Sequence, residues 1–141
     1  MSYNGQRYIP LKLVFNIKQD GRYRARLVAL GYRQVQGIDY EDIHAPVISD
    51  VGFRMIVNIS IQNGWKLVKL DVESAFLLGK LNEEIFIEIT DGFKEKGRIG
   101  RLNSELYGLV QASRVFYQTM KNFLVDELNF EVCTADGCIL M

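Results

Sequence analysis

The sequence predicts an α+β fold, an antiparallel sheet backed by helices. Three observations predict it. Residues 83–90 alternate with the period of a strand, and residues 11–30 read as two strands around an Asp-Gly turn. Residues 49–63 and 111–128 carry apolar residues at helical spacing. The two kinds of segment are interleaved along 141 residues without a repeat or an obvious linker, so one mixed domain with a real core is expected.

The stretch LKLVFNIKQDGRYRARLVAL reads as a β-hairpin, with Asp20-Gly21 in the turn because glycine accepts a positive φ. On its second strand Arg22, Arg24 and Arg26 share one face and Tyr23, Ala25 and Leu27 the other. A polar, irregular segment, YRQVQGIDYEDIHAPV, follows. A helix is expected from Ser49 or Asp50 to Asn63, with Asn63-Gly64 ending it and Phe53, Ile56, Val57 and Ile61 as its buried stripe. Trp65 to Leu70 reads as a strand, and a short helix is expected after Asp71. EEIFIEIT alternates, with Ile85, Ile87 and Ile89 facing inward, and RIGRLNSELYGL reads as a short strand and turn. Gln111 to Leu128 forms the longest helix, burying Val115, Phe116, Met120, Phe123, Leu124 and Leu128. FEV and GCILM read as a closing strand pair.

Composition narrows the function classes. No apolar run approaches the roughly 20 residues of a membrane span, and the N-terminus MSYNGQRYIP lacks a signal pattern. Two cysteines, Cys133 and Cys138, are too few for a disulfide scaffold, and a C-x4-C pair with a distant His44 makes no zinc site. An intracellular protein, cytoplasmic or nuclear and not secreted, is expected. Seventeen basic side chains balance seventeen acidic ones, which argues against a simple polyanion-binding domain. The charge is uneven, however. Residues 7–33 carry Arg7, Lys12, Lys18, Arg22, Arg24, Arg26 and Arg33 against Asp20 alone, so a basic lobe adjoins an acidic one. A phosphate-bearing partner would suit the basic part.

Asp71 stands where an apolar run stops and a helical pattern starts. It has two readings. Aspartate caps helices, and a carboxylate at a strand end also suits Mg²⁺ in phosphoryl transfer. The arginines upstream favour the second, because guanidinium groups match phosphate oxygens.

Four blocks in order, LVFNIKQDGRYRARLVALGYRQVQGIDYEDIHAPV, WKLVKLDVESAFLLGKLNEEIFIE, GF and LNSELYGLVQASRVFY, resemble the reverse transcriptase domain of copia-type LTR retrotransposons from about Leu11 onward. The resemblance implies a partial polymerase palm and fingers. Residues 1–141 would be a single partial domain, with about 11–48 forming the fingers hairpin and loop and about 49–141 the front of the palm. It implies that Asp71 is a catalytic metal ligand and that the Val72 carbonyl faces the same Mg²⁺. Phe76 would crowd the sugar 2′ position, Gln111 would touch the incoming nucleotide, and Arg24 or Arg26 would bind its triphosphate. Implied partners are an RNA or DNA template-primer and a deoxynucleoside triphosphate. Each residue has a plainer alternative: Phe76 in the core, Gln111 on a helix surface, the arginines on a solvated strand face.

The sequence also departs from that family. The paired aspartates of Tyr-x-Asp-Asp are missing, since Asp91, Asp126 and Asp136 form no such pair. The pair would fall beyond Met141, and thumb and RNase H regions are missing too. Leu13, Leu30, Val110 and Ser113 replace tryptophan, arginine, lysine and proline usual in the family. The expectation is a fragment of an RNA-directed DNA polymerase, a nucleotidyltransferase by family, inactive alone. The alternative is a non-catalytic retrotransposon remnant that binds nucleic acid or a protein. Self-association through the apolar C-terminal edge strand is also expected.

Overall fold

The computed structural model describes residues 2–3, 5–90, 92–93 and 97–141. Among these residues, three two-stranded antiparallel sheets and two α-helices make a mixed α+β architecture. Strands β1 (Ser2–Tyr3) and β2 (Gln6–Arg7) form a small N-terminal pair that the sequence reading did not foresee. Among the described residues no helix is long and apolar enough to cross a membrane.

Strands β3 (Leu11–Ile17) and β4 (Tyr23–Ala29) form the expected hairpin. Its turn closes by Gly21 N–H to the Lys18 carbonyl and Lys18 N–H to the Arg22 carbonyl. Gly21 has φ +81°, which makes glycine the natural residue there. The register pairs Arg24 with Asn16 and Arg26 with Val14, and Tyr23, Ala25 and Leu27 with Ile17, Phe15 and Leu13.

Helix α1 (Asp50–Gln62) is capped by Ser49, whose Oγ accepts from Gly52 N–H at 3.0 Å. Asn63 ends it and Gly64 follows with φ +65°. Its expected buried stripe is wrong. Gly52 and Ser60 are the buried residues, whereas Phe53 and Ile61 are 58% and 69% exposed and Ile56 and Val57 are at best half-buried. Helical spacing fixes which residues share a face, not which face finds a partner. On the packed side, Asp136 Oδ2 accepts from Ser49 N–H at 2.8 Å and sits close to Gly52.

The expected strand Trp65–Leu70 does not form. These residues are exposed and belong to no strand. A strand exists only through a ladder partner, and among the described residues none lies beside this segment. The short helix after Asp71 is a 3₁₀ turn, Ala75–Leu78. Its N-cap position is Ser74, held at φ +53°, so Asp71 is not its cap.

Strands β5 (Phe86–Glu88) and β6 (Ile99–Arg101) form where strands are expected, and they pair antiparallel with each other. Ile85 is buried, and Ile87 and Ile89 are half-buried. Ile9 bridges to Ile87 and donates to the Phe86 carbonyl at 2.8 Å, which joins the N-terminal segment to β5. The core gathers Ile9, Ala29, Ile85, Leu106, Leu109 and Ala112, with Leu11, Leu27, Phe76, Leu81 and Leu102 packed against it.

Helix α2 (Ala112–Asn122) runs into a π-helical turn, Phe123–Glu127. Val115, Phe116, Met120 and Leu124 are half-buried as expected, but Phe123 and Leu128 are exposed. The π turn ends at Glu127, so Leu128 lies beyond the helical repeat that defines the stripe. The closing strand pair is reduced to a bridge between Val132 and Leu140, extended by hydrogen bonds between Glu131 and Met141.

Candidate functional site

The β3–β4 hairpin and the 71–75 segment enclose a cleft of about 610 Å³. Its walls include Lys18, Arg22, Arg24 and Arg26 from the hairpin, Asp71, Val72 and Glu73 opposite, and Tyr107. Asp71 and the arginines, 45 residues or more apart in sequence, thus face one space. The register explains the arginine side. Arg24 and Arg26 are two residues apart on one strand and so project to the same face.

The cations of this wall are not equivalent. Arg22 is engaged by Asp20, its Nε and Nη2 donating to Oδ2 at 2.9 and 2.7 Å. That hydrogen bond, with a backbone one from Arg22, holds the Asp20 carboxyl below the usual range. Among the described residues Lys18, Arg24 and Arg26 have no carboxylate partner. Arg26 is half-buried and its guanidinium lies 6.0 Å from the centre of the Tyr107 ring. Arg7, also in the basic lobe, points elsewhere: its Nε and Nη2 fork onto Asp39 at 2.8–3.2 Å. Three cations are therefore left facing the cleft.

Asp71 is exposed and makes no hydrogen bond to any described residue. Asp71 and Glu73 are the carboxylates of the cleft wall. Among the described residues no three histidine, cysteine, aspartate or glutamate side chains cluster as a metal site would require. Near-octahedral Mg²⁺ takes its protein ligands from one or two carboxylates plus substrate phosphates. Asp71 and Glu73 are fewer carboxylates than a two-metal centre takes.

The other acids are committed elsewhere. Asp136 accepts from Ser49 and Cys138 N–H, which lowers its carboxyl. Asp126 is exposed on the π turn, and Asp91 lies outside the described residues.

Two of the expected site residues are not on the cleft wall. Phe76 is half-buried, with its ring edge-on to Tyr107 at 5.1 Å and to Phe116 at 6.1 Å. It lines a separate apolar groove of about 450 Å³ with Pro46, Val47, Phe116 and Met120. Gln111 is 1% exposed. Its Oε1 accepts from Gln34 Nε2 at 3.0 Å, while Gln34 Oε1 accepts from Val110 N–H at 2.9 Å. The surface alternative for Gln111 is excluded by that burial.

Lys18 and Tyr107 are cleft residues that received no role from the sequence. Lys18 sits at the hairpin tip, where reach is decided by turn geometry rather than strand alternation. Tyr107 lies in the LNSELYGL block, and its signal was the Gly that follows it. Gly108 has φ +90°, and a Cβ there would collide with the Ala29 carbonyl. The close approach lets Ala29 N–H donate to the Tyr107 carbonyl at 2.7 Å, tying the end of β4 to Tyr107.

The family model for reverse transcriptase (RNA-dependent DNA polymerase) matches residues 2–140. The chain belongs to the reverse transcriptase family. The chain is 36% identical over 143 aligned positions, 96% of its length, to the retrovirus-related Pol polyprotein from transposon TNT 1-94 of Nicotiana tabacum. It is 38% identical over 107 positions, 74% of its length, to the Pol polyprotein from transposon RE1 of Arabidopsis thaliana. It is 26% identical over 134 positions, 95% of its length, to the transposon Ty1-NL2 Gag-Pol polyprotein of Saccharomyces cerevisiae. These matches make it a reverse transcriptase domain of the copia type. The chain spans 11%, 7% and 8% of those three polyproteins. No solved structure matches it.

Proposed function

We propose that this reverse transcriptase chain is the fingers and front palm of a copia-type RNA-directed DNA polymerase, and that its cleft is the nucleotide site. Arg24 and Arg26 bind the triphosphate of a deoxynucleotide, and Asp71 with the Val72 carbonyl contributes to Mg²⁺ binding beside it. The parent reaction is attack of a primer 3′-hydroxyl on the α-phosphorus, with pyrophosphate leaving. Bound Mg²⁺ would stabilise charge developing on the phosphoryl oxygens. The observation that supports this reading is the shared cleft: Asp71 faces Lys18, Arg24 and Arg26 across it, and none of the four has an ion-pair partner among the described residues. Gln111 would need to leave its bond to Gln34 to reach a nucleotide, and Phe76 would act from behind Tyr107.

With one aspartate and one glutamate in the cleft, the chain alone is inactive. Purified protein given primer-template, deoxynucleotides and Mg²⁺ should extend no primer. Extension that disappears in Asp71→Ala would overturn the inactivity.

A second reading rests on a different observation. Phe53, Ile61, Trp65, Leu67, Val68 and Leu70 are each more than half exposed. So much apolar surface favours pairing with protein, including self-association that could also use the C-terminal edge. Sedimentation would separate the two: a strictly monomeric chain with a sharp, reversible melt argues against association.

A further inference from the structure

We propose that Tyr107 is a nucleotide-contacting residue of this cleft, its ring carrying the nucleoside while Arg24 and Arg26 hold the phosphates. The inference rests on the nucleotide reading above and adds a residue to it. Gln111 was the side chain expected to touch the nucleotide, yet it is enclosed and bonded to Gln34. Tyr107 lines the cleft itself, between the arginine wall and the 71–75 wall.

The ring has two neighbours and its backbone is anchored. Arg26 lies over it at 6.0 Å, Phe76 meets it edge-on at 5.1 Å, and its own carbonyl is tied to Ala29 N–H. Such a ring is preorganised, so little rotamer entropy remains to be lost when a ligand contacts it. Its Oη has no hydrogen-bond partner among the described residues, which leaves a donor and acceptor for a sugar or base.

A half-buried aromatic surface beside three cations matches one chemical class better than others. A nucleoside triphosphate presents a π face or sugar at one end and concentrated negative charge at the other. Aromatic contact is tolerant of base identity, because every base has a π face. Arg26, positioned over the same ring, links the two recognition elements.

The test compares two probes on the 141-residue chain at low salt, dTTP and inorganic tripolyphosphate. The variants are Tyr107→Phe, Tyr107→Leu and Arg26→Ala. Tyr107→Leu should weaken dTTP about tenfold and leave tripolyphosphate within about twofold. Tyr107→Phe keeps the ring, so it should fall between wild type and Tyr107→Leu for dTTP. Arg26→Ala should weaken both probes. Circular dichroism of each variant establishes that it is folded, and Tyr107→Phe carries the test if Tyr107→Leu is not. Equal loss of both probes in the Tyr107 variants would make the ring a prop for Arg26 and overturn the inference. Unchanged dTTP binding in those variants, with Arg26→Ala impaired, would overturn it while sparing the phosphate site. Failure of wild type to bind either probe would remove the nucleotide reading and this inference together.

Discussion

A Cβ on Gly108 would strike the carbonyl oxygen of Ala29, so the two backbones meet at a distance only glycine permits. Gly108 also has φ +90°, a region where side chains are strained. Gly108→Ala should therefore cost roughly 3 kcal/mol or more, combining backbone strain with overpacking. Because this contact ties β4 to Tyr107, the variant should also lose the cleft. Thermal melting and dTTP titration of the same sample check both effects.

Arg7 and Asp39 form the second anchor. Asp39 is 7% exposed, and its carboxylate takes Arg7 Nε and Nη2 together with Val35 N–H at 2.7 Å. Arg7→Ala would leave a nearly buried carboxylate with one donor. The arginine side chain is 34% exposed, so solvent screens part of the pair. We expect a loss of roughly 2 kcal/mol in urea unfolding. Arg22→Ala, whose ion pair with Asp20 is exposed, should leave stability nearly unchanged.

Glu105 makes stability depend on pH. It is 1% exposed, and neither carboxylate oxygen has a hydrogen-bond partner among the described residues. Burial, with Glu83 nearby, pushes its carboxyl up to about 7 from the usual 4.5. The folded chain therefore holds this proton more tightly than the unfolded chain. The favourable contribution is complete below about pH 4.5 and is lost as pH rises through 7. Wild type should melt higher at pH 5 than at pH 8, by roughly 3 kcal/mol in stability. Glu105→Gln should flatten that dependence. The lowered carboxyls Asp20, Asp42 and Asp136 act in the opposite sense, but only at more acid pH. Equal pH dependence in wild type and Glu105→Gln would contradict the assignment.

The cleft should also mark itself through salt. If Arg24 and Arg26 contact phosphates, binding of a short single-stranded oligonucleotide should weaken steeply as salt rises. Removing either arginine should lower the slope of log K against log salt by about 1. Arg7→Ala should leave that slope unchanged, because Arg7 is bound to Asp39.

The sequence was informative wherever local chemistry decides the outcome. Gly21 in its turn and a helix start at Ser49 or Asp50 depend on residues within a few positions, and both were legible. Long-range pairing was not. Trp65–Leu70 has strand-like residues but no ladder partner among the described residues, and Phe53 and Ile61 of α1 face solvent because no described residue covers them. At the site, alternation pointed to the arginines and the break before Asp71 pointed to the carboxylate. Tyr107 and Gln111 share one motif, four residues apart, and only the three-dimensional path of Gly108 separates the cleft residue from the enclosed one.

Calorimetric titration of Mg²⁺–dTTP into wild type, Arg24→Ala, Arg26→Ala and Asp71→Asn tests the central claim most directly. Wild type should bind measurably at low salt, weakened about tenfold by loss of a charge-assisted contact in Arg24→Ala or Arg26→Ala. Raising Mg²⁺ should strengthen binding more in wild type than in Asp71→Asn. Wild-type affinity in all three variants, or no binding by wild type, would contradict that claim.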